Sequence, residues 1–151
     1  MKNIFIIGHK GRIKHEESSN SMELEGYKIF MINMEEKLKI TADQIKNKNL
    51  ITEHKDKIVV DEIIKEINSL NNQNPNYIIF YHSSNSLRFT HRESIDKLVS
   101  CYPGRIFPYG NGPESGHPIY QIIKGSGYLK DFNQSQLDTL FDCIQNSIQI
   151  T

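Results

Sequence analysis

Residues 4–8 read Ile4-Phe5-Ile6-Ile7-Gly8. Successive side chains of a strand point to opposite sides, so an unbroken apolar run leaves neither face for water. A strand buried on both faces is the pattern of a parallel sheet with helices above and below. Two further runs repeat it. One is Tyr27 to Asn33, with Ile29-Phe30-Met31-Ile32 inside it, and the other is Tyr77 to Tyr81, reading Tyr-Ile-Ile-Phe-Tyr.

Around these runs the apolar spacing changes to three and four residues. Over 56–71, Val60, Ile63, Ile64, Ile67 and Leu70 share one helical face, and Asp61, Glu62, Lys65 and Glu66 take the other. Asn71-Asn72-Gln73-Asn74-Pro75 ends that helix, because the residue before proline avoids the α region. Thr41-Ala42-Asp43-Gln44 matches a capping box and predicts a short helix that frays near Asn47-Lys48-Asn49. Thr90-His91-Arg92-Glu93 is a second such box, ahead of Ile95, Leu98 and Val99, and Pro103-Gly104 stops that helix. Asn133 with Gln136 caps a last helix with the stripe Leu137, Leu140, Phe141, Ile144 and Ile148. Ile106-Phe107 and Ile119 to Ile123 read as further short strands. Residues 8–26 and 108–118 read as loops, and loops this long in a compact domain are usually functional or mobile.

Continuous apolar strands alternating with amphipathic helices predict an α/β fold. The expectation is a single three-layer domain over 1–151, with a mainly parallel sheet of about four to five strands and flanking helices. The alternative is an α+β fold with a mixed sheet, because no helix is evident between the first two strands.

Composition bounds the function. The chain has 151 residues, with 18 Lys+Arg against 18 Asp+Glu, and its pI is about 7.0. That balance argues against a protein whose main task is to grip nucleic acid or an anionic membrane. Lys46, Lys48, Lys55 and Lys57 form a locally basic stretch, but Glu53 and Asp56 dilute it and no aromatic is interleaved. A mean hydropathy of −0.52 predicts a soluble chain. The first apolar run breaks at Gly8-His9-Lys10, short of a secretory signal core, and no run approaches the roughly 18 apolar residues of a membrane helix. The two cysteines, Cys101 and Cys143, form no CxxC, and reduced thiols in a cytoplasmic setting are expected. Cys101 falls at a helix C-terminal end, where the dipole opposes a thiolate, so a packed or inert thiol is expected there.

In open parallel sheets, ligands bind outside the carboxyl ends of the strands. After the first strand come Gly8, His9, Lys10, Gly11 and Arg12; after the second, Asn33 and Glu35; after the third, His82, Ser83, Ser84 and Asn85. A parallel sheet would bring His9 and His82 to one edge, with fixed cations and hydroxyls around them. Arg12 offers a bidentate fork and Lys10 a point charge for an anion. Gly11 allows close backbone approach, and Ser84 and Asn85 stand in a turn able to present a phosphate-sized nest. His9 and His82 suit nucleophile, base or acid roles near neutral pH. Ser83 beside His82 is a candidate nucleophile, without the glycines of a nucleophile elbow. Glu114 and His117, in the loop Tyr109-Gly110-Asn111-Gly112-Pro113-Glu114-Ser115-Gly116-His117-Pro118, would add a carboxylate and an imidazole over the same edge. No His-x3-His or His-Glu-x2-His spacing occurs, so no metal site is expected, and no cofactor motif is complete.

A strand followed by His9-Lys10-Gly11-Arg12, with a second strand-end histidine at His82, resembles the histidine phosphatases over residues 4–12 and 78–83. In that family a strand-end Arg-His-Gly carries the phosphoryl-accepting histidine. Here Gly8 stands where the family has arginine, and Lys10 precedes Gly11. The first strand and its basic loop are similar to those of TIR-like nucleotide-binding domains.

Two functional expectations stand side by side. One is a hydrolase or ligand-binding protein acting on a phosphate- or nucleotide-bearing small molecule at the carboxyl edge of the sheet. The other is a non-catalytic protein–protein interaction module, an effector, regulator or assembly subunit, with a protein partner or a second copy on a face such as Leu137, Leu140 and Phe141. Whether the chain is an enzyme is left open by the residues alone. Neither a membrane nor a nucleic-acid partner is expected.

Overall fold

The computed structural model describes residues 1–8, 21–49, 55–82, 92–109 and 133–148. In chain order the elements are β1 (Lys2–Gly8), β2 (Ser21–Leu24), β3 (Tyr27–Asn33), α1 (Met34–Asn47), α2 (Lys55–Asn71), β4 (Tyr77–His82), α3 (Arg92–Ser100), β5 (Ile106–Tyr109) and α4 (Gln134–Ile148). The five strands form one sheet in the order β2-β3-β1-β4-β5. β1 pairs in parallel with β3 on one side and β4 on the other, and β5 extends the parallel set beyond β4. Among the described residues, only the β2–β3 pair is antiparallel.

The run 4–7 is therefore the middle of the sheet, and Ile4, Phe5, Ile6 and Ile7 are all fully buried. Register sorts the side chains into two faces. Phe5, Phe30, Ile79 and Ile106 share one face, joined by Ile7 and Ile32, and Phe5 stacks on Phe30 with ring centroids 5.0 Å apart. Met34 of α1, Val59, Val60, Ile63 and Ile67 of α2 and Leu98 of α3 complete that core. Ile4, Ile6, Ile29, Met31, Ile78 and Phe80 line the other face. There α4 packs with Leu137 and Leu140 buried, and the Tyr27 hydroxyl donates to the Gln136 carbonyl at 3.3 Å. This is a three-layer α/β arrangement. The steps β3→β4 and β4→β5 run the same way across the sheet, and crossovers of one hand stepping the same way lie over the same face. That is why α1, α2 and α3 share a face.

The structure departs from the expected elements in three ways. Part of the expected loop 8–26 is strand: β2 turns into β3 through Glu25-Gly26, with Gly26 at φ +85°, where a side chain would be strained. This antiparallel edge is the mixed character raised as an alternative. The first helix starts eight residues earlier than the capping box at Thr41 predicts. Asn33 is its N-cap, its Oδ1 accepting from the Glu36 backbone N–H at 3.2 Å, and Thr41 is fully buried within the helix. Asn33-Met34-Glu35-Glu36 is itself a cap with an acid three residues on, and it competes with the Thr41 box for the same helix. Leu70, expected on the buried stripe of α2, is 38% exposed, while Asp56, one turn ahead of Val60, is buried.

The expected cap of α4 is present in both directions. Asn133 Oδ1 accepts from the Gln136 N–H, and Gln136 Oε1 accepts from the Asn133 N–H, both at 2.9 Å. The expected strand 119–123 and the side chains of Phe141, Ile144 and Ile148 lie outside the described residues. Among the described residues, no helix is long and apolar enough to cross a membrane.

Candidate functional site

Strand order decides where the parallel strands part company. β1 is followed in the parallel set by β3 on one side, and the chain then crosses to β4 on the other. The connection reverses direction at β1, so the topological switch point lies between the carboxyl ends of β1 and β4. In open α/β sheets such a point is the usual crevice for a ligand.

The backbone at this edge is level. Gly8 pairs with Asn33, Ile7 with Tyr81, and His82 with Tyr109. The last residues of β3, β1, β4 and β5 thus form one row, with neighbouring strands about 4.8 Å apart. Gly8 is buried and carries no side chain there. Asn33 is committed to capping α1, and the first turn of that helix holds Glu35 and Glu36, with Glu36 exposed. Acids in a first turn satisfy the helix dipole, so the β3 end of the row is not an anion-binding end.

Of the site residues expected from sequence, His82 is the last residue of β4, with its side chain outside the described set. His9, Lys10, Gly11 and Arg12 come directly after the end of β1, and Ser83, Ser84 and Asn85 directly after β4. These residues, and Glu114 and His117, lie outside the described residues. Among the described residues, no group of three or more His, Cys, Asp or Glu side chains is placed to hold a metal ion. Cys101, expected to be packed or inert, is a free thiol exposed in the turn after α3. Its neighbour in that turn, Tyr102, is the residue turned into the core.

One polar residue near this edge escapes the sequence reading. Asp56, in the first turn of α2, is 4% exposed, and its Oδ2 accepts from Ser94 Oγ of α3 at 3.4 Å. A helical phase count finds it, since 56, 60, 63 and 67 share one face with Val60, Ile63 and Ile67. A carboxylate on a core stripe is costly unless it is paired or hydrogen-bonded.

The helices α1 and α2 meet along a polar seam. Lys37, 5% exposed, forms an ion pair with Glu66, and Gln44 Nε2 donates to Glu62 Oε1 at 3.1 Å. A shallow cleft of about 260 Å³ adjoins it, lined by Lys37, Glu62, Lys65, Glu66, Ser69 and Leu70. Its two ammonium and two carboxylate groups balance, so it favours neither a cation nor an anion.

No protein-family model, no curated protein and no solved structure matches this chain.

Proposed function

We propose that this α/β domain binds a phosphate- or nucleotide-bearing small molecule at the carboxyl edge of its sheet, and that it is a hydrolase or binding protein for that ligand. The observation that carries the reading is the strand order. It puts the switch point between β1 and β4, and the segments leaving those two strands begin with His9-Lys10-Gly11-Arg12 and Ser83-Ser84-Asn85. In this reading Lys10 and Arg12 hold the anion, and Gly11, Ser84 and Asn85 offer backbone and side-chain donors. His9, His82 and Ser83 are the candidates for proton transfer or nucleophilic attack, and Glu114 and His117, later in sequence than β5, are further candidates for ligand binding.

Thermal-shift titration with inorganic phosphate, AMP and ribose 5-phosphate tests this directly. A ligand at a hundred times its Kd stabilises the native state by about 2.7 kcal/mol, an increment well above noise. Arg12→Ala and His82→Ala are expected to reduce the shift. If no phosphate compound raises Tm in the unsubstituted protein, the reading fails. The interaction-module alternative draws no added support from α4, because Leu137 and Leu140 are covered within the chain.

A further inference from the structure

Lys37 is the most deeply buried lysine among the described residues. Only 7% of its side chain is exposed, and Glu66 of α2 is its one ion-pair partner among them. An ammonium carries three N–H donors. One carboxylate oxygen does not meet them all, and a buried charge is costly until its donors are met. Lys37 lines the cleft of about 260 Å³ at the α1–α2 seam, so a further acceptor reaches it through that cleft. The other walls carry both signs. Glu62 spends Oε1 on Gln44, which leaves Oε2 for another donor. Lys65 is exposed and has no acid partner among the described residues. Leu70, which leaves the buried stripe of α2, supplies an exposed apolar wall. A plain anion entering here meets Glu62 and Glu66, and a plain cation meets Lys37 and Lys65. Like charges repel at such distances. A molecule carrying one charge of each sign can place each against its opposite.

We propose that this cleft binds a small zwitterion of the α-amino-acid class. The carboxylate lies on Lys37 and Lys65, the ammonium on Glu62, and an apolar side chain along Leu70. The size agrees, since drug-sized ligands occupy pockets of about 300–1,000 Å³ and an amino acid is smaller. The site shares no residue with the strand-end set, so it stands apart from the function proposed above. Exposed ion pairs are individually weak, and binding of millimolar order is expected.

The test is titration of the isotope-labelled chain with leucine at constant ionic strength, read by NMR from its backbone amides. Leucine is expected to shift the amides around Lys37 and those of 62–70, and the shifts should saturate. Isoamylamine is leucine without its carboxylate, and isocaproate is leucine without its ammonium. Each should bind about fivefold more weakly than leucine. Lys65→Gln and Glu62→Gln should each weaken leucine about threefold. Lys37→Met combined with Glu66→Gln removes the buried pair without stranding a charge, and should abolish the shifts in a chain whose other amides are unmoved. Either analogue binding as tightly as leucine overturns the inference. So do shifts confined to other parts of the chain, or none up to the solubility limit of leucine. If the double variant does not fold, Lys65→Gln and Glu62→Gln decide, and unchanged leucine affinity in either overturns it.

Discussion

At Asn71 a single carboxamide joins helix, strand and turn. Its Oδ1 accepts from Asn3 Nδ2 at 3.0 Å, and its Nδ2 donates to the Asn74 carbonyl at 2.9 Å. Asn74 in turn donates from Nδ2 to the Met1 carbonyl at 2.7 Å. Removing one partner of a buried pair leaves the other desolvated and unmade, so Asn71→Ala should cost about 1–3 kcal/mol in urea unfolding. Tyr102 gives a second residue-scale expectation. Burial pushes its phenol above the ordinary tyrosine value, with Tyr77 and Cys101 adding to the effect, and its hydroxyl is spent on Asn68. Below about pH 10 the tyrosine is neutral in both folded and unfolded chains and contributes no pH dependence. Above that, the unfolded chain releases a proton that the folded chain keeps, so stability falls as pH rises. Chemical unfolding at pH 9 and pH 11 should show that loss, and Tyr102→Phe should flatten it.

Among the elements, α1 is where two local signals compete. Asn33 and Thr41 both stand three residues ahead of a side chain suited to a capping box, and only the first is used. Asn33→Ala should therefore cost about 1 kcal/mol. Thr41→Ala should be neutral or stabilising, since it removes a buried hydroxyl that has no hydrogen-bond partner and adds the better helix former. Thermal melts of the two variants check the assignment, and the opposite ranking would restore the Thr41 start. The same contest shows what was legible in the sequence. Period and continuity placed β1, β3, β4, α2, α3 and α4, because Ile4–Ile7 and the Val60-Ile63-Ile67 stripe report burial directly. β2 stayed hidden because Ser21-Met22-Glu23-Leu24 is short and half polar, as an edge strand covered on one side is. Asp56 is hidden by its residue type, since a carboxylate reads as solvent-facing and only helical phase puts it with Val60, Ile63 and Ile67.

For the whole molecule, the strand order was not legible at all. Periodicity says that Ile4–Ile7 is buried and is silent on which strands flank it. The side-by-side ends of β1 and β4 follow from pairing between residues more than seventy apart in sequence. Hydrogen exchange should rank the sheet by that order. Amides of β1, bonded on both sides, are expected to exchange only through global unfolding, and those of β2 through smaller openings. Equal protection in β1 and β2 would contradict the central position of β1.

The central position of β1 also sets a schedule. Synthesis runs from the amino terminus, so the strand that ends up in the middle is made before the two that flank it. β3 can join it early, but its other side stays open until β4 has left the ribosome. In that interval Ile4-Phe5-Ile6-Ile7 presents an unpaired, uncharged strand edge, the kind that other chains add to. Native closure waits on the last residues of Tyr77–His82. For this chain the vulnerable period is the time between the making of β1 and of β4, a property of birth order rather than of final stability.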